Sequence, residues 1–298
     1  MKTIHTSSCP VCSGLKFEEE LTCKDFLVSN ETFSLLRCEN CGFVFTQDFP
    51  SEDEIGKYYD TPEYISHSDT QKGLINSLYH FARNIAMKSK SGLILKYSSD
   101  KTGKLLDIGS GTGSFLHAMC EKKWIVTGIE KSESARLHAH EKFGLNTQCS
   151  EYLFEIPDET KDVITMWHVL EHIEGLNETM ERMHRILKDD GTAFIALPNK
   201  SSSDAAYYKE YWAAYDVPRH LWHFSPSDLE LLADKHGFSI EKIKPMYFDP
   251  FYISMLSEKY KGTFAASFVG LAKGFFFFLK SLSDTKKCSS LVYILKKK

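Results

Sequence analysis

The sequence lacks an apolar run behind its first residues, any internal repeat, and an uncharged apolar stretch long enough to cross a bilayer. The longest such stretch, residues 262–272, covers only about half of the roughly 20 residues that a crossing needs. A basic excess is missing too, because 36 Lys and Arg stand against 40 Asp and Glu, which argues against a general nucleic-acid binder. We therefore expect a cytoplasmic protein whose thiols stay reduced.

Composition and length are those of an ordinary globular protein, with 42% hydrophobic and 26% charged residues in a chain of 298. Composition shifts divide the chain into a small module over residues 1–50, a helical linker or lid over 51–98, and a larger domain over 99–298. A helical spacing of apolar residues predicts a long helix over 71–97. An insertion is expected at about 249–288.

Two Cys-x2-Cys pairs lie in the first module, Cys9 with Cys12 and Cys38 with Cys41. Zinc takes four tetrahedral ligands, and two such turns brought together supply four thiolates. Because sulfur would fill every coordination position, we expect a structural zinc ion in a ribbon-like module. Residues 1–50 carry four basic and seven acidic residues, so the module is expected to face a protein or a substrate and not a nucleic acid.

Strand-like and helical segments alternate from residue 104 onward, which predicts a parallel sheet with helices on both faces. Ser132 and Gly144 suit the two ends of one helix, and Ser225 with Pro226 and Asp228 suits the start of another. The predicted strands are 104–108, 124–129, 145–149, 162–166 and 192–197.

A glycine-rich loop, Gly109-Ser110-Gly111-Thr112-Gly113, follows the first strand and precedes a helix. Glycines there let a ligand approach the backbone and leave the helix N-terminus open. Asp107 just before the loop favours a cationic ligand over a pyrophosphate. Ser114 stands where a dinucleotide fingerprint has glycine, and Glu130 at the end of the next strand can accept both hydroxyls of a ribose with either cofactor type.

These motifs resemble those of the class I S-adenosylmethionine-dependent methyltransferases, and the resemblance covers roughly residues 100–245 in the expected order. It rests on the loop, on Glu130, on the segment 162–173 that includes Trp167-His168-Val-Leu-Glu171-His172, and on 186–199. The four-cysteine module before them resembles the subgroup that includes sugar C-methyltransferases.

The resemblance implies an α/β, doubly wound, Rossmann-like sheet of seven strands whose last strand is reversed, with residues 238–244 and 291–295 as the final hairpin. It also implies S-adenosylmethionine as cofactor. Asp107 and the loop residues would then hold the methionine end, Glu130 the ribose, and the region of Glu151 the adenine. Trp167 and His168 are expected at the same crevice, with Trp167 as a wall.

Methyl transfer to a protonated acceptor needs a base, and histidine is the side chain best suited to that role near neutral pH. His168 at a strand end is one candidate. His220 with Asp216 as its orienting acid is another, within a polar and aromatic segment over 207–223 that we expect to lie against the substrate. The acceptor is expected to be small or carrier-linked, with a hydroxyl or a sugar carbon as the methylated group.

Three alternatives stay open at this point. They are a zinc-ribbon RNA methyltransferase, an NAD(P)-dependent oxidoreductase and a non-catalytic protein that binds S-adenosylmethionine.

A last feature is an apolar and basic segment over 264–298, in which Phe264, Phe268, Leu271, Phe275, Phe278 and Leu282 recur at helical spacing. Such a helix either packs over the mouth of the active site or makes a peripheral contact with a membrane or a lipid-linked substrate.

Overall fold

The structure is a computed structural model that describes residues 2–59 and 87–298. The predicted helix over 71–97 lies outside the described residues up to position 86, and residues 87–97 are helical (α2). The other helices are Glu52–Ile55 (α1), Ser114–Cys120 (α3), Glu133–Phe143 (α4), Leu176–Ile186 (α5), Ser203–Tyr208 (α6), Pro226–Lys235 (α7), Asp249–Tyr260 (α8) and Ala266–Ser283 (α9). The strands are Thr3–Ile4 (β1), Phe17–Lys24 (β2), Thr32–Cys38 (β3), Val44–Thr46 (β4), Phe49–Pro50 (β5), Lys104–Ile108 (β6), Ile125–Ile129 (β7), Lys161–Trp167 (β8), Leu187–Pro198 (β9), Trp222–His223 (β10), Phe238–Pro245 (β11) and Ser290–Lys297 (β12).

The main sheet has the order β11-β12-β9-β8-β6-β7, with β6 to β9 parallel and β12 antiparallel to both of its neighbours. Its central strands are buried on both faces, which is why they are apolar nearly throughout. In β8, Ile164 and Met166 face one core while Val163 and Trp167 face the other. This mixed, doubly wound α/β sheet is the predicted fold class, and β11 with β12 is the expected final hairpin.

The seventh strand expected over residues 145–149 is reduced to a single parallel bridge between Ile129 and Gln148. Every residue of that segment stays at least partly exposed. Leu145 is its one large aliphatic side chain, so pairing along this edge buries little apolar surface. The described part of the sheet therefore has six strands.

The helix ends follow their local sequence. The Ser132 side chain accepts the Ala135 N–H at the start of α4, and Gly144 ends that helix at a φ of +66°. Ser225 and Asp228 form a reciprocal capping box at the start of α7. These three predicted helix boundaries are confirmed.

The cysteine-bearing module shares a sheet with the larger domain. Strands β2, β3 and β4 are antiparallel, and β10 adds to them by pairing Trp222 with Phe45 and His223 with Val44. The Trp222 ring also lies 6.2 Å from the ring of Phe43 and 5.9 Å from that of Phe49, between centroids. The two parts are thus packed around a common aromatic core, across the boundary expected near residue 50.

A fully buried arginine joins the same two parts. Arg219 is 1% exposed and donates to Asp25 at 3.0 Å, to Asp216 at 2.6 Å and to the Tyr58 carbonyl at 2.8 Å. Burial alone would raise the pKa of Asp216, but Arg219 holds it below its usual value. Both carboxylates therefore stay ionised and bound to one guanidinium.

A helical hairpin, α8 and α9, forms the insertion between β11 and β12. Helix α9 is long and apolar enough to meet the length and composition expected of a membrane-crossing helix, and only 22% of it is buried in the fold. It is the one such helix in residues 2–59 and 87–298. Asp249, the first residue of α8, lies beside His168 at the end of β8.

We predict that Arg219→Met lowers the free energy of unfolding by about 3–5 kcal/mol, because Asp25 and Asp216 would be left as unpaired buried charges. Urea denaturation followed by circular dichroism measures this. The matched control is Arg185→Met, whose guanidinium also pairs with an aspartate but is 57% exposed, so about 0–1 kcal/mol is expected. Equal losses in the two variants would contradict the role given to Arg219.

Candidate active site

The glycine-rich loop turns sharply at the carboxyl end of β6. Gly109, Gly111 and Gly113 have φ values of +74°, +53° and +78°, a region that favours glycine. A Cβ on Gly109 would lie 2.3 Å from Val169, and one on Gly113 would lie 2.8 Å from Ala139, so protein packing excludes side chains there. A Cβ on Gly111 would meet nothing within 4 Å, which leaves the backbone open to a ligand.

Asp107 ends up at the base of this loop and is 1% exposed. Its Oδ1 accepts a hydrogen bond of 2.6 Å from the Thr165 hydroxyl. Burial raises the pKa of Asp107 to about 7, against the lowering effects of Thr165 and Lys90. The nearby Ser110 hydroxyl is buried and has no hydrogen-bond partner in the described part of the chain. A ligand with a cationic donor group would satisfy both residues.

Glu130 closes the other side of the loop. Its carboxylate accepts the Gly111 N–H and the Ser132 N–H, each at 2.8 Å. Because β6 lies between β7 and β8, this acid and the loop flank the point where the chain connections change direction, which is where open α/β sheets bind ligands.

Two further predicted cofactor residues differ in their surroundings. Glu151 is exposed in a short 3-10 turn, Ser150–Phe154, where a hydrogen bond to the Cys149 thiol lowers its pKa. Trp167 is 9% exposed and packs edge to face on Phe115, with Lys90 Nζ 4.6 Å from the centroid of its ring. Trp167 is therefore mainly a core residue, and its role as a pocket wall stays a prediction.

His168 follows β8 with a φ of +60°, an uncommon value for a residue with a side chain. Its Nδ1 lies 3.3 Å from Glu171 Oε1 and its Nε2 3.4 Å from Asp249 Oδ2. Burial would lower the pKa of His168, but the two carboxylates prevail and raise it to about 9. Its ring is therefore protonated at neutral pH.

His172 and His220 pack edge to face with ring centroids 4.5 Å apart. His220 Nδ1 lies 2.9 Å from the Ala214 carbonyl, and His172 Nδ1 lies 3.0 Å from the Arg219 carbonyl. A carbonyl only accepts, so each Nδ1 carries the proton and each neutral ring keeps a lone pair on Nε2. Ligand atoms of Glu171, His172 and His220 lie within 4.8 Å of one another.

Asp216 takes a different position from the one expected. Its carboxylate makes hydrogen bonds of 2.6 and 3.0 Å with Arg219, whereas its closest approach to His220 is 4.0 Å. Arg219 is the stronger partner because it stays charged at any relevant pH. Asp216 is thus bound mainly to Arg219, and the Ala214 carbonyl orients the His220 ring.

The segment 207–223 is mostly interior, contrary to the expectation that it lines a substrate crevice. Its buried side chains include Tyr208, Trp212, Tyr215, Arg219, Trp222 and His223. Local composition misleads here because aromatic and charged residues also fill a core when partners from distant segments satisfy them. Tyr207 remains 49% exposed and His220 12% exposed.

The four predicted metal ligands lie together in the N-terminal module. Sulfur atoms of Cys9 and Cys41 are 3.6 Å apart, as are those of Cys12 and Cys38, and all four lie within 4.8 Å of one another. All four are free thiols. A tetrahedral zinc site with bonds of about 2.3 Å has sulfurs about 3.8 Å apart, so this group could hold zinc.

Comparison with known proteins gives the family. Residues 80–243, more than half of the chain, match the model of a methyltransferase domain. Among curated proteins, the ubiquinone biosynthesis O-methyltransferase of Glaesserella parasuis is 31% identical over 182 residues, which cover 53% of this chain and 76% of that protein. The enzyme of the same name from Idiomarina loihiensis is 29% identical over 52% of this chain and 70% of that protein.

The chain belongs to the class I S-adenosylmethionine-dependent methyltransferases. Solved structures agree on the fold. A magnesium protoporphyrin IX methyltransferase from Synechocystis matches with a TM-score of 0.53 at 12% identity, over 81% of this chain and 97% of that one. A methyltransferase from Archaeoglobus fulgidus matches with a TM-score of 0.50 at 20% identity, over 72% and 94%. The nicotinamide-dependent alternative is therefore wrong.

The loop of this methyltransferase fits S-adenosylmethionine, a cation that carries ammonium and sulfonium groups. Asp107 and the open Gly111 backbone supply a carboxylate and a surface without side chains, and Ser110 supplies a buried hydroxyl without a partner. The Gly111 N–H fixes the Glu130 carboxylate beside the loop, where this carboxylate could accept a hydrogen bond from the cofactor. When bound, the cofactor supplies an electrophilic methyl group, and these residues would hold it.

Several contacts around the methyltransferase site escaped the sequence analysis. Lys90 on α2 reaches the Trp167 ring, Asp249 on α8 reaches His168, and Tyr59 Oη lies 3.1 Å from His172 Nδ1. Each joins segments far apart in sequence. No local pattern predicts such pairs. Local sequence indicates only that Asp249 suits the start of a helix, because acids are common in a first helical turn.

We predict that Asp107→Asn weakens S-adenosylmethionine binding by about 10- to 100-fold, since a hydrogen bond to a charged group contributes about 1.5–3 kcal/mol. In the native protein, affinity should rise from pH 6 to pH 8 as Asp107, with its pKa of about 7, becomes ionised. Isothermal titration calorimetry at several pH values measures both effects. Asp100→Asn, an exposed change nearby in sequence, is the control. A pH dependence identical in native protein and Asp107→Asn would contradict the assignment.

Proposed function

We propose that this methyltransferase transfers the methyl group to a hydroxyl of a small or carrier-linked acceptor, with His220 as the general base. The observation that carries the proposal is the contrast among three neighbouring histidines. His168 is held as a cation by Glu171 and Asp249, whereas His220 Nδ1 donates to the Ala214 carbonyl, which leaves His220 Nε2 as the nitrogen that can accept a proton.

His172 is less suited to the task than His220. Burial lowers the pKa of His172 to about 4. Its ring therefore accepts a proton poorly. His168, with a pKa of about 9, already holds its proton at neutral pH. The geometry of His220 differs from both, because its Nδ1 is bound to the Ala214 carbonyl, its Nε2 is left as an acceptor, and its side chain is 12% exposed.

Glu171 stabilises the proton that His220 would receive. Although burial raises its pKa, the neighbouring His168 holds the carboxylate in its ionised form. Its oxygen lies within 4.8 Å of the His220 ligand nitrogen. Asp216 Oδ2 lies 4.0 Å from His220 Nε2, so in this proposal Glu171 and Asp216 share the role that the sequence had suggested for Asp216 alone.

In the proposed step, His220 Nε2 removes the proton of the acceptor hydroxyl while the oxygen forms a bond to the methyl carbon. The electron pair of the broken carbon–sulfur bond returns to sulfur, so the positive charge passes from sulfur to the His220 ring. Such a displacement requires the nucleophile to be close and aligned. The O-methyltransferase activity named for the ubiquinone relatives favours oxygen over a sugar carbon as the acceptor.

We predict that His220→Gln lowers kcat by about 10²- to 10⁴-fold, the usual contribution of a general base. The affinity for S-adenosylmethionine should be unchanged. Release of S-adenosylhomocysteine is measured with phenols, prenylated phenols and nucleotide sugars as acceptors, and proton NMR of the product distinguishes an O-methyl from a C-methyl group.

His236→Gln is the matched control, because this partly exposed histidine directly follows α7 and its ring bonds to Asn177 Oδ1. Its kcat should stay within about twofold of native. Retained activity in His220→Gln would contradict the base assignment. A second metal ion per native chain that is absent from His220→Gln would also contradict it, since Glu171, His172 and His220 would then be metal ligands.

For the N-terminal module, we propose a structural zinc ion held by Cys9, Cys12, Cys38 and Cys41. An all-sulfur donor set leaves no open coordination position for catalysis. Gly14 supports the site, because a Cβ there would lie 3.0 Å from Cys38 Sγ and 3.3 Å from Cys12 Sγ. Cys9 and Cys38 are also part of the main hydrophobic core, so this site would brace the sheet that β10 shares.

We predict about one zinc ion per native chain by plasma mass spectrometry, and none in Cys12→Ser. Loss of the metal should lower Tm by about 5–10 °C, since metal binding is coupled to folding. Cys120→Ser, at an exposed free thiol on α3, should keep both the metal and Tm. A native protein purified without metal, and not stabilised by added zinc, would contradict the proposal.

A further inference from the structure

Helix α9 carries its apolar stripe on the side that faces solvent. Phe268, Leu271, Phe275, Leu279 and Leu282 are 80%, 51%, 53%, 47% and 54% exposed. Their spacing of three and four residues puts them on one face of the helix. The stripe is about 21 Å long at 1.5 Å per residue, and Phe264, 95% exposed, extends it before the helix.

The opposite face of α9 makes the contact with the protein, and its buried residues are Gly270, Gly274, Phe277 and Ser281. A Cβ on Gly270 would lie 2.4 Å from Met255 Cα, and one on Gly274 would lie 2.6 Å from Phe251 Cα. The two glycines therefore let α9 lie directly on the α8 backbone. These inner-face residues already make the contact with the fold, so packing within the described residues leaves the outward stripe uncovered.

The charge around the stripe is positive. Residues 261–287 contain five lysines and one acid, Asp284. Lys273 is paired with the buried Glu258 at 2.7 Å, whereas Lys261, Lys280, Lys286 and Lys287 belong to exposed positions. An exposed apolar stripe bordered by lysines matches the surface of a bilayer that contains anionic lipids.

We propose that α9 binds the surface of an anionic membrane, lying in the interface with its stripe among the acyl chains. A crossing orientation is disfavoured because α8 and β12 on either side of α9 belong to the catalytic fold. Tyr247 and Phe248, 38% and 57% exposed, enlarge the patch, and the Tyr247 ring packs 5.5 Å from that of Phe278.

The same hairpin reaches the active site. Asp249 begins α8 directly after this aromatic pair, and its carboxylate lies 3.4 Å from His168 Nε2. A membrane-bound α9 would thus hold the crevice next to the lipid surface. The position of the crevice beside the lipid favours a substrate class in which the hydroxyl acceptor is attached to a lipid carrier. This inference about the substrate rests on the proposed function.

Flotation with lipid vesicles tests the contact. Native protein should bind vesicles of phosphatidylcholine with about 30% phosphatidylglycerol at low salt, and less at about 0.5 M salt. The double variant Phe268→Asp/Phe275→Asp should lose about tenfold or more of this binding. Leu137→Asp, at a 55% exposed leucine on α4, is the matched control and should bind as native.

Native protein that does not float with the anionic vesicles, or a double variant that floats equally well, would overturn the proposal. A native dimer that the double variant turns into a monomer, without vesicle binding, would instead assign the stripe to self-association. Calorimetry with S-adenosylmethionine on the same samples separates this result from the proposed reaction, because neither substitution touches the glycine loop.

Discussion

The arrangement of the active site depends on one buried cation. Arg219 bridges Asp25 in the N-terminal module and Asp216 in its own loop, and no other Lys or Arg of residues 2–59 and 87–298 pairs with either acid. The next residue is His220, so the ion pairs set where its ring lies. Such buried pairs add little net stability compared with an apolar core, but they penalise every arrangement that separates the partners. The module and the catalytic domain are thereby held in a single orientation.

Local sequence was sufficient for the features whose causes are local. The capping box at Ser225 and the glycine that ends α4 involve residues within a few positions of each other. The loop after β6 needs left-handed backbone at three points, and only glycine combines this with close packing against Val169. The reversed β12 and its hairpin with β11 followed from the family resemblance.

The rest could not be read from the sequence because it depends on contacts between distant segments. Asp216 looked like a partner for His220, yet Arg219 competes for it and Arg219 is itself placed by Asp25. Trp222 looked like a substrate contact, yet β10 extends the sheet of the cysteine module. The expected strand over 145–149 failed for an energetic reason, since an exposed edge with one aliphatic residue gains little from pairing.

The three histidines show that side-chain type does not determine chemical role in this site. Two acids raise the pKa of His168 to about 9, burial lowers that of His172 to about 4, and a backbone carbonyl bound to Nδ1 leaves Nε2 of His220 as its acceptor nitrogen. The acid that makes His168 a cation from one side, Asp249, belongs to the hairpin of α8 and α9. Displacing that hairpin would remove one of the two carboxylates that keep His168 charged. The charge on His168 and the position of the hairpin are therefore linked through Asp249. Any contact that holds the hairpin in place also keeps Asp249 beside His168 and so stabilises its protonated ring.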